Sequence, residues 1–222
     1  MFRDRRDAGR QLSTLLGRYA SHHPVVVGLP RGGVPVAAEI ARDLHAPLDI
    51  IVVRKLGVPW QPELGFGAIA EGNVCLVNEA LVREAGLGQD EIVAIVAREQ
   101  AELERRVRAY RGDRRPVPVD GREVIVVDDG LATGGTAHAA IDAMRRRGAS
   151  RVVLAVPVAP ADLVATMGRV ADEFVAVRRP GWLLSIGEHY EDFTQTSDDE
   201  VRRLLDRAGP AGGHRSVMPS RR

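Results

Sequence analysis

Hydrophobic positions along this chain fall into two alternating patterns. Short, mainly apolar stretches occur at residues 24–29, 48–54, 123–129, 151–158 and 173–177. Runs of this length without polar alternation predict strands buried on both faces. Between them lie amphipathic stretches of helical period at residues 7–19, 34–44, 135–147, 160–169 and 198–207. In the first of these, Leu12, Leu15, Leu16 and Tyr19 share one side. Strand–helix–strand repetition predicts an α/β fold with a central, mostly parallel sheet flanked by helices and joined by right-handed crossovers. The strand ends then gather at one edge of the sheet, where ligands of such folds bind.

Two regions break the alternation. Residues 56–68 carry three glycines, two prolines and two aromatics, which predicts a long irregular loop. Residues 68–77 predict a hairpin turning at Gly72-Asn73. After it, residues 78–85 and 89–110 are helical in pattern, the second with Ile92, Ile95, Val96, Leu103 and Val107 on one stripe. Residues 1–208 thus form one domain with a helical insertion over about 78–112. Residues 209–222 lack the apolar content to fold and are expected to be disordered.

Composition narrows the class. A 45% hydrophobic content suffices for a core, and a net charge of +1 argues against a large nucleic-acid footprint. No apolar run has the length of a membrane span. The opening Met-Phe-Arg-Asp-Arg-Arg is no signal core, so a cytoplasmic location is expected. The one cysteine, Cys75, lies in an apolar run and is expected to be a buried, inert thiol. Of 31 basic residues only Lys55 is lysine, so a compact ammonium stands there in a chain that otherwise uses arginine.

Chemistry concentrates in residues 124–136, Val-Ile-Val-Val-Asp-Asp-Gly-Leu-Ala-Thr-Gly-Gly-Thr. A buried strand ends on two carboxylates, Asp128 and Asp129. A turn of small residues then opens a helix. Its backbone N–H groups and dipole suit a phosphate, with Thr133 and Thr136 as hydroxyl donors. Gly134 and Gly135 permit close backbone approach. Two carboxylates suit neighbouring ribose hydroxyls or a Mg²⁺ shared with substrate oxygens. No Gly-Lys-Ser/Thr follows the glycines, so this is no Walker loop, and the acidic pair separates it from a dinucleotide fingerprint.

At these residues the chain resembles the type I phosphoribosyltransferases, whose fingerprint is an apolar strand, two acidic residues, a short spacer and Thr-Gly-x-Thr. The resemblance covers roughly residues 24–56 and 120–192. It implies that Ala132, Thr133, Gly134, Gly135 and Thr136 cradle the 5-phosphate of phosphoribosyl pyrophosphate (PRPP). Asp128 and Asp129 would serve catalysis, the ribose hydroxyls and the Mg²⁺ cofactor. Pro30, Arg31, Gly32 and Gly33 resemble the family's pyrophosphate loop. Arg54 and Lys55 stand where the family often has a basic pair for pyrophosphate, with Lys55 also catalytic, and residues 56–68 stand where it has a mobile lid. Residues 178–197 resemble its hood in layout, making Trp182 and Leu183 acceptor-binding candidates. For Trp182 the alternative is a core tryptophan plugging the sheet edge.

One departure bears on the acceptor. Ala132 stands where the oxopurine enzymes have an acid, and its Ala-Thr-Gly-Gly-Thr setting is nearer the adenine-type enzymes. The implied reaction is transfer of ribose 5-phosphate to a nitrogen acceptor with release of pyrophosphate. The expected partners are PRPP and a small nitrogen-containing acceptor, in a homodimer, with neither nucleic acid nor membrane. The alternative is a non-catalytic PRPP-binding sensor of the same fold.

Overall fold

The computed structural model describes residues 1–209, apart from the side chains of Pro62 and Glu63. The expected disordered tail therefore lies outside the described residues beyond Gly209. The central sheet contains β1 (Val25–Gly28), β2 (Leu48–Ile50), β6 (Glu123–Val127), β7 (Arg151–Val158) and β8 (Glu173–Arg178). Its order is β2-β1-β6-β7-β8 and every pairing is parallel. Val124 to Val127 are fully buried, as an apolar run covered on both faces requires.

Helices cover both faces. On one side α1 (Arg5–Leu16), α2 (Gly33–Asp43), α4 (Gln89–Arg111) and α7 (Asp198–Arg207) enclose a core of Leu12, Ile40, Ile95 and Leu205. On the other, α5 (Gly135–Arg146) and α6 (Ala161–Met167) enclose Val126, Ile141, Met144 and Met167. The short α3 (Glu79–Glu84) leads into α4. Polar caps start several helices: Asp4 accepts from the Asp7 N–H at 2.7 Å, Asn78 from Ala80 at 3.1 Å, and Ser197 from Glu200 at 3.1 Å. Past α1 the chain tightens into a 3-10 turn, Gly17–His22, so the α-helix is shorter than its apolar stripe suggests.

The first residues form a seam with a distant segment. Phe2 donates to the His189 carbonyl at 2.7 Å and accepts from Glu191 at 2.8 Å, making a parallel bridge to Tyr190. The Phe2 side chain is completely buried against that tyrosine ring.

Two expectations need correction. The apolar run 48–54 is not one strand. It breaks at Ile51-Val52, and β3 (Val53–Val58) leaves the central sheet to start a second one. Residues 56–68 are then not a loop but the body of an antiparallel hairpin, β3 with β4 (Gln61–Ala70), followed by β5 (Val74–Val77). Bulges at Leu56/Gly57 and Gly57/Val58 absorb the irregular sequence. Gly67 is required by close approach, since a Cβ there would lie 2.3 Å from the Leu76 carbonyl oxygen. The predicted turn between β4 and β5 is present, with Gly72 and Asn73 both at positive φ. Cys75 also departs from expectation: on the outer strand β5 it is exposed.

Candidate active site at the sheet switch point

β1 and β6 are neighbours, yet the helices that follow them, α2 and α5, lie on opposite faces. Their connections therefore part at the strand ends and open a crevice, the place where doubly wound sheets hold ligands. Residues 29–33 line one side, and residues 128–135 line the other. The two loops touch. The Leu29 N–H donates to the Val127 carbonyl at 2.8 Å. A Cβ on Gly32 would lie 1.9 Å from Asp129 Oδ2, and one on Gly33 would lie 2.6 Å from the Val127 carbonyl oxygen. Both glycines are thus set by contact with the acidic strand end. The Pro30–Arg31 peptide in this loop is cis.

The acidic pair is crowded and thinly neutralised. Asp128 Oδ1 accepts from the Asp129 N–H at 2.9 Å, and Asp129 Oδ2 accepts from Arg5 Nε at 2.8 Å. Burial, then the adjacent Asp129 charge, holds the Asp128 carboxyl well above the usual carboxylate range. Burial also raises Asp129, with the Arg5 guanidinium opposing. Tyr190 donates its hydroxyl to the Asp129 carbonyl at 2.6 Å, and burial pushes that hydroxyl up so that it remains a donor.

Arg5 and Tyr190 are residues that local sequence reasoning misses. Arg5 lies 124 positions from Asp129 in a run of arginines, and nothing local separates it from its neighbours. Tyr190 sits in an acidic stretch of the hood-like segment, and that layout was its one signal.

After the pair, Gly134 caps α5 at φ +81°, where other residues are strained. The first amides of α5 have no intrahelical acceptor, and Thr133 and Thr136 lie exposed beside them. A cleft of about 650 Å³ adjoins this turn, lined by Lys55 and Gly67 of the hairpin and by Thr133, Gly135, Thr136 and His138. His138, one turn into α5, is a further lining residue that the sequence did not single out.

The basic pair divides. Arg54 and Lys55 are consecutive on β3, so they point to opposite faces. Lys55 faces the cleft, while Arg54 turns to α4 and donates to Glu99 at 2.6 Å and 3.0 Å. Arg54 thus tethers α4 in this structure, on the face away from Lys55. Arg31 is half-buried and reaches Asp198 at 3.5 Å, at the start of α7. Trp182 is 75% exposed, so it plugs no core, and Leu183 beside it is half-buried. Their segment is anchored by Ile186, which packs on Gly130 just past the acidic pair.

Five parallel strands with a switch-point crevice define a doubly wound α/β protein, built around an acidic strand end and a glycine-capped helix start. More narrowly, the chain belongs to the phosphoribosyl transferase domain family, whose description matches residues 5–166. It is 50% identical over 208 residues to a Mycobacterium tuberculosis protein that carries a provisional phosphoribosyl transferase name. That match takes in 94% of this chain and 47% of the relative, so the chain spans about half the length of that curated protein. A uracil phosphoribosyltransferase of Bacillus caldolyticus is 32% identical over 147 residues, 61% of each chain. The crystal structure of a Thermus thermophilus protein, TT1426, superposes with a TM-score of 0.80 at 40% identity, covering 92% of this chain and 97% of that one. Among the described residues no helix is long and apolar enough to cross a membrane.

Proposed function

We propose that this protein transfers the 5-phosphoribosyl group of PRPP to a nitrogen acceptor and releases pyrophosphate. The observation that carries the reading is the contact of two loops at the switch point. The loop at 30–33 and the acid pair at 128–129 meet directly, and the turn at 132–136 follows at once. One ligand with a phosphate, two ribose hydroxyls and a pyrophosphate matches that sequence of groups.

In this reading Ala132 to Thr136 hold the 5-phosphate through backbone N–H groups and the two threonine hydroxyls. Asp128 and Asp129 accept from the ribose hydroxyls. Pro30 to Gly33 hold the pyrophosphate, with Arg31 as a cation. Lys55 acts from the hairpin across the cleft, which closes over the donor to exclude water. The acceptor nitrogen forms the new bond to C1 while the C1–O bond to pyrophosphate breaks, the leaving group keeping its electron pair. The chain's work is positioning and charge neutralisation.

Mg²⁺ fits this donor set. Two hard carboxylates face one arginine, which leaves negative charge for a cation. Among the described residues no cluster of three or more candidate ligands occurs, so donor oxygens would complete the shell. When bound, the ion neutralises charge on the leaving pyrophosphate.

Trp182 and Leu183 are the acceptor-side residues of this reading, with the exposed indole free to stack on a planar base. The family kinship with uracil phosphoribosyltransferase makes nucleobases the first acceptors to try, and nucleotide salvage the setting. Homodimer assembly and a cytoplasmic location belong to the same proposal. Incubation with labelled PRPP, Mg²⁺ and a panel of nucleobases and amines tests it. Pyrophosphate release dependent on one acceptor is expected. Tight PRPP binding with no release from any acceptor would instead identify a sensor.

A further inference from the structure

Arg5 is fixed on three sides. Its Nε donates to Asp129 Oδ2 at 2.8 Å, and its Nη1 donates to the Thr194 carbonyl at 2.8 Å. Its guanidinium carbon lies 4.0 Å from the centre of the Phe193 ring. The Arg5 side chain is 11% exposed and that of Asp129 is 13% exposed. A cation so clamped is a fixed part of the wall rather than a surface charge that swings. It also borders the loop at 30–33, since a Cβ on Gly32 would lie 3.2 Å from Arg5 Nε.

The consequence is an unequal pair of acids. Asp129 already has a partner supplied by the N-terminal helix. Among the described residues, Asp128 has only the adjacent backbone N–H. We infer that Arg5 is a resident counter-ion and positioning residue for the donor site. It holds the Asp129 carboxylate against the loop at 30–33 and leaves Asp128 as the carboxylate open to an incoming divalent cation. The fixed guanidinium adds positive charge beside the place where a polyanionic donor binds. The donor's identity rests on the function proposed above, whereas the pairing with Asp129 does not.

Electrostatics gives this role a signature that a merely structural residue lacks. Neutralising Arg5 frees Asp129, so a bare divalent cation binds more tightly. It also removes a positive charge from the donor site, so a polyanion binds less tightly. The test uses the full chain and two probes, Mn²⁺ alone followed by its electron paramagnetic resonance signal, and PRPP with Mg²⁺ followed by calorimetry. For Arg5→Gln the expected result is Mn²⁺ affinity up by about threefold and PRPP affinity down by about tenfold, as for one unit charge at a part-buried site. Arg5→Lys keeps the charge and is expected to recover most of both shifts.

Affinities that fall together, or that do not move, overturn the inference, and so does an Arg5→Lys variant no better than Arg5→Gln. Should Arg5→Gln not fold, Phe193→Leu loosens the clamp while keeping the charge. It is expected to give smaller shifts of the same opposite signs, and their absence overturns the inference. If the native protein binds no PRPP, the functional reading fails, and the Mn²⁺ measurements still decide the role of Arg5.

Discussion

Arg111 and Arg5 each stand beside a pair of carboxylates, with opposite results. Arg111, at the end of α4, is 5% exposed and donates to Asp49 at 3.1 Å and to Glu71 at 2.6 Å. Backbone donors complete those acids. Asp49 accepts from Ile50 and Val117 at 2.8 Å each, and Glu71 accepts from Val52 at 2.8 Å. Arg111 also caps the Ile50 carbonyl at 2.8 Å. This cluster rivets α4, the end of β2 and the β4–β5 turn together where the chain leaves one sheet for the other. Around Arg5 the acids are the same in number, but Asp128 has a single backbone donor. The difference teaches what each cluster is for. Where every carboxylate oxygen has a donor the charge is structural. Where lone pairs stay open in a crevice the charge is available to a ligand.

Substitutions can break or sharpen that contrast. The largest effect is expected from Asp128→Asn with Asp129→Asn. Losing two charge-assisted contacts at about 1.5–3 kcal/mol each weakens PRPP binding by on the order of a hundredfold or more. The fold is retained, and full donor affinity by calorimetry would defeat the site assignment. Arg111→Met should do the reverse. Leaving two buried carboxylates unpaired costs about 3–5 kcal/mol in urea unfolding. Donor affinity of the folded fraction stays unchanged, and a small stability loss would show that the cluster is not a rivet.

Gly32→Ala joins the two effects. Its Cβ would meet Asp129 Oδ2 at 1.9 Å, so the carboxylate must shift. A stability loss of about 1–3 kcal/mol is expected, with donor affinity falling too. Unchanged affinity would mean that the Asp129 position is unimportant. Tyr190→Phe removes one hydrogen bond to the Asp129 backbone and should cost about 1 kcal/mol, read as a shift in the urea midpoint.

The smallest effect is one of pH. The Asp128 carboxyl is raised by burial and by Asp129, above its ordinary 3.8. Between that value and the raised one the folded state holds a proton that the unfolded state has released. Stability therefore declines as pH rises through this window. Asp128→Asn removes the term, so the variant should gain on the native protein as pH increases from about 4, with little difference below. A constant offset across pH would refute the raised carboxyl.

The sequence made the central sheet and the acidic strand end readable because their signals are local. Val124 to Val127 announce a two-sided strand, and the carboxylates, glycines and threonines follow within a few residues. The hairpin was unreadable because Gly57, Gly65 and two prolines interrupt the alternation of Leu56, Val58, Phe66 and Ala68. Only its bulges restore register. Arg54 and Lys55 likewise read as one basic pair, since consecutive residues diverge only once their segment is known to be a strand. Arg5 was invisible for another reason. Its role is set by a partner far along the chain, and no spacing encodes such a meeting. Cys75 misled because an apolar run does not say whether its strand lies inside a sheet or at the edge.

The seam between Phe2 and Tyr190 has a practical side. Phe2 is wholly buried, and Arg5 follows three positions later. Removing Phe2 would unhook Tyr190 from its partner without touching a crevice residue directly. Residues 2–5 therefore behave as working hardware rather than as packaging.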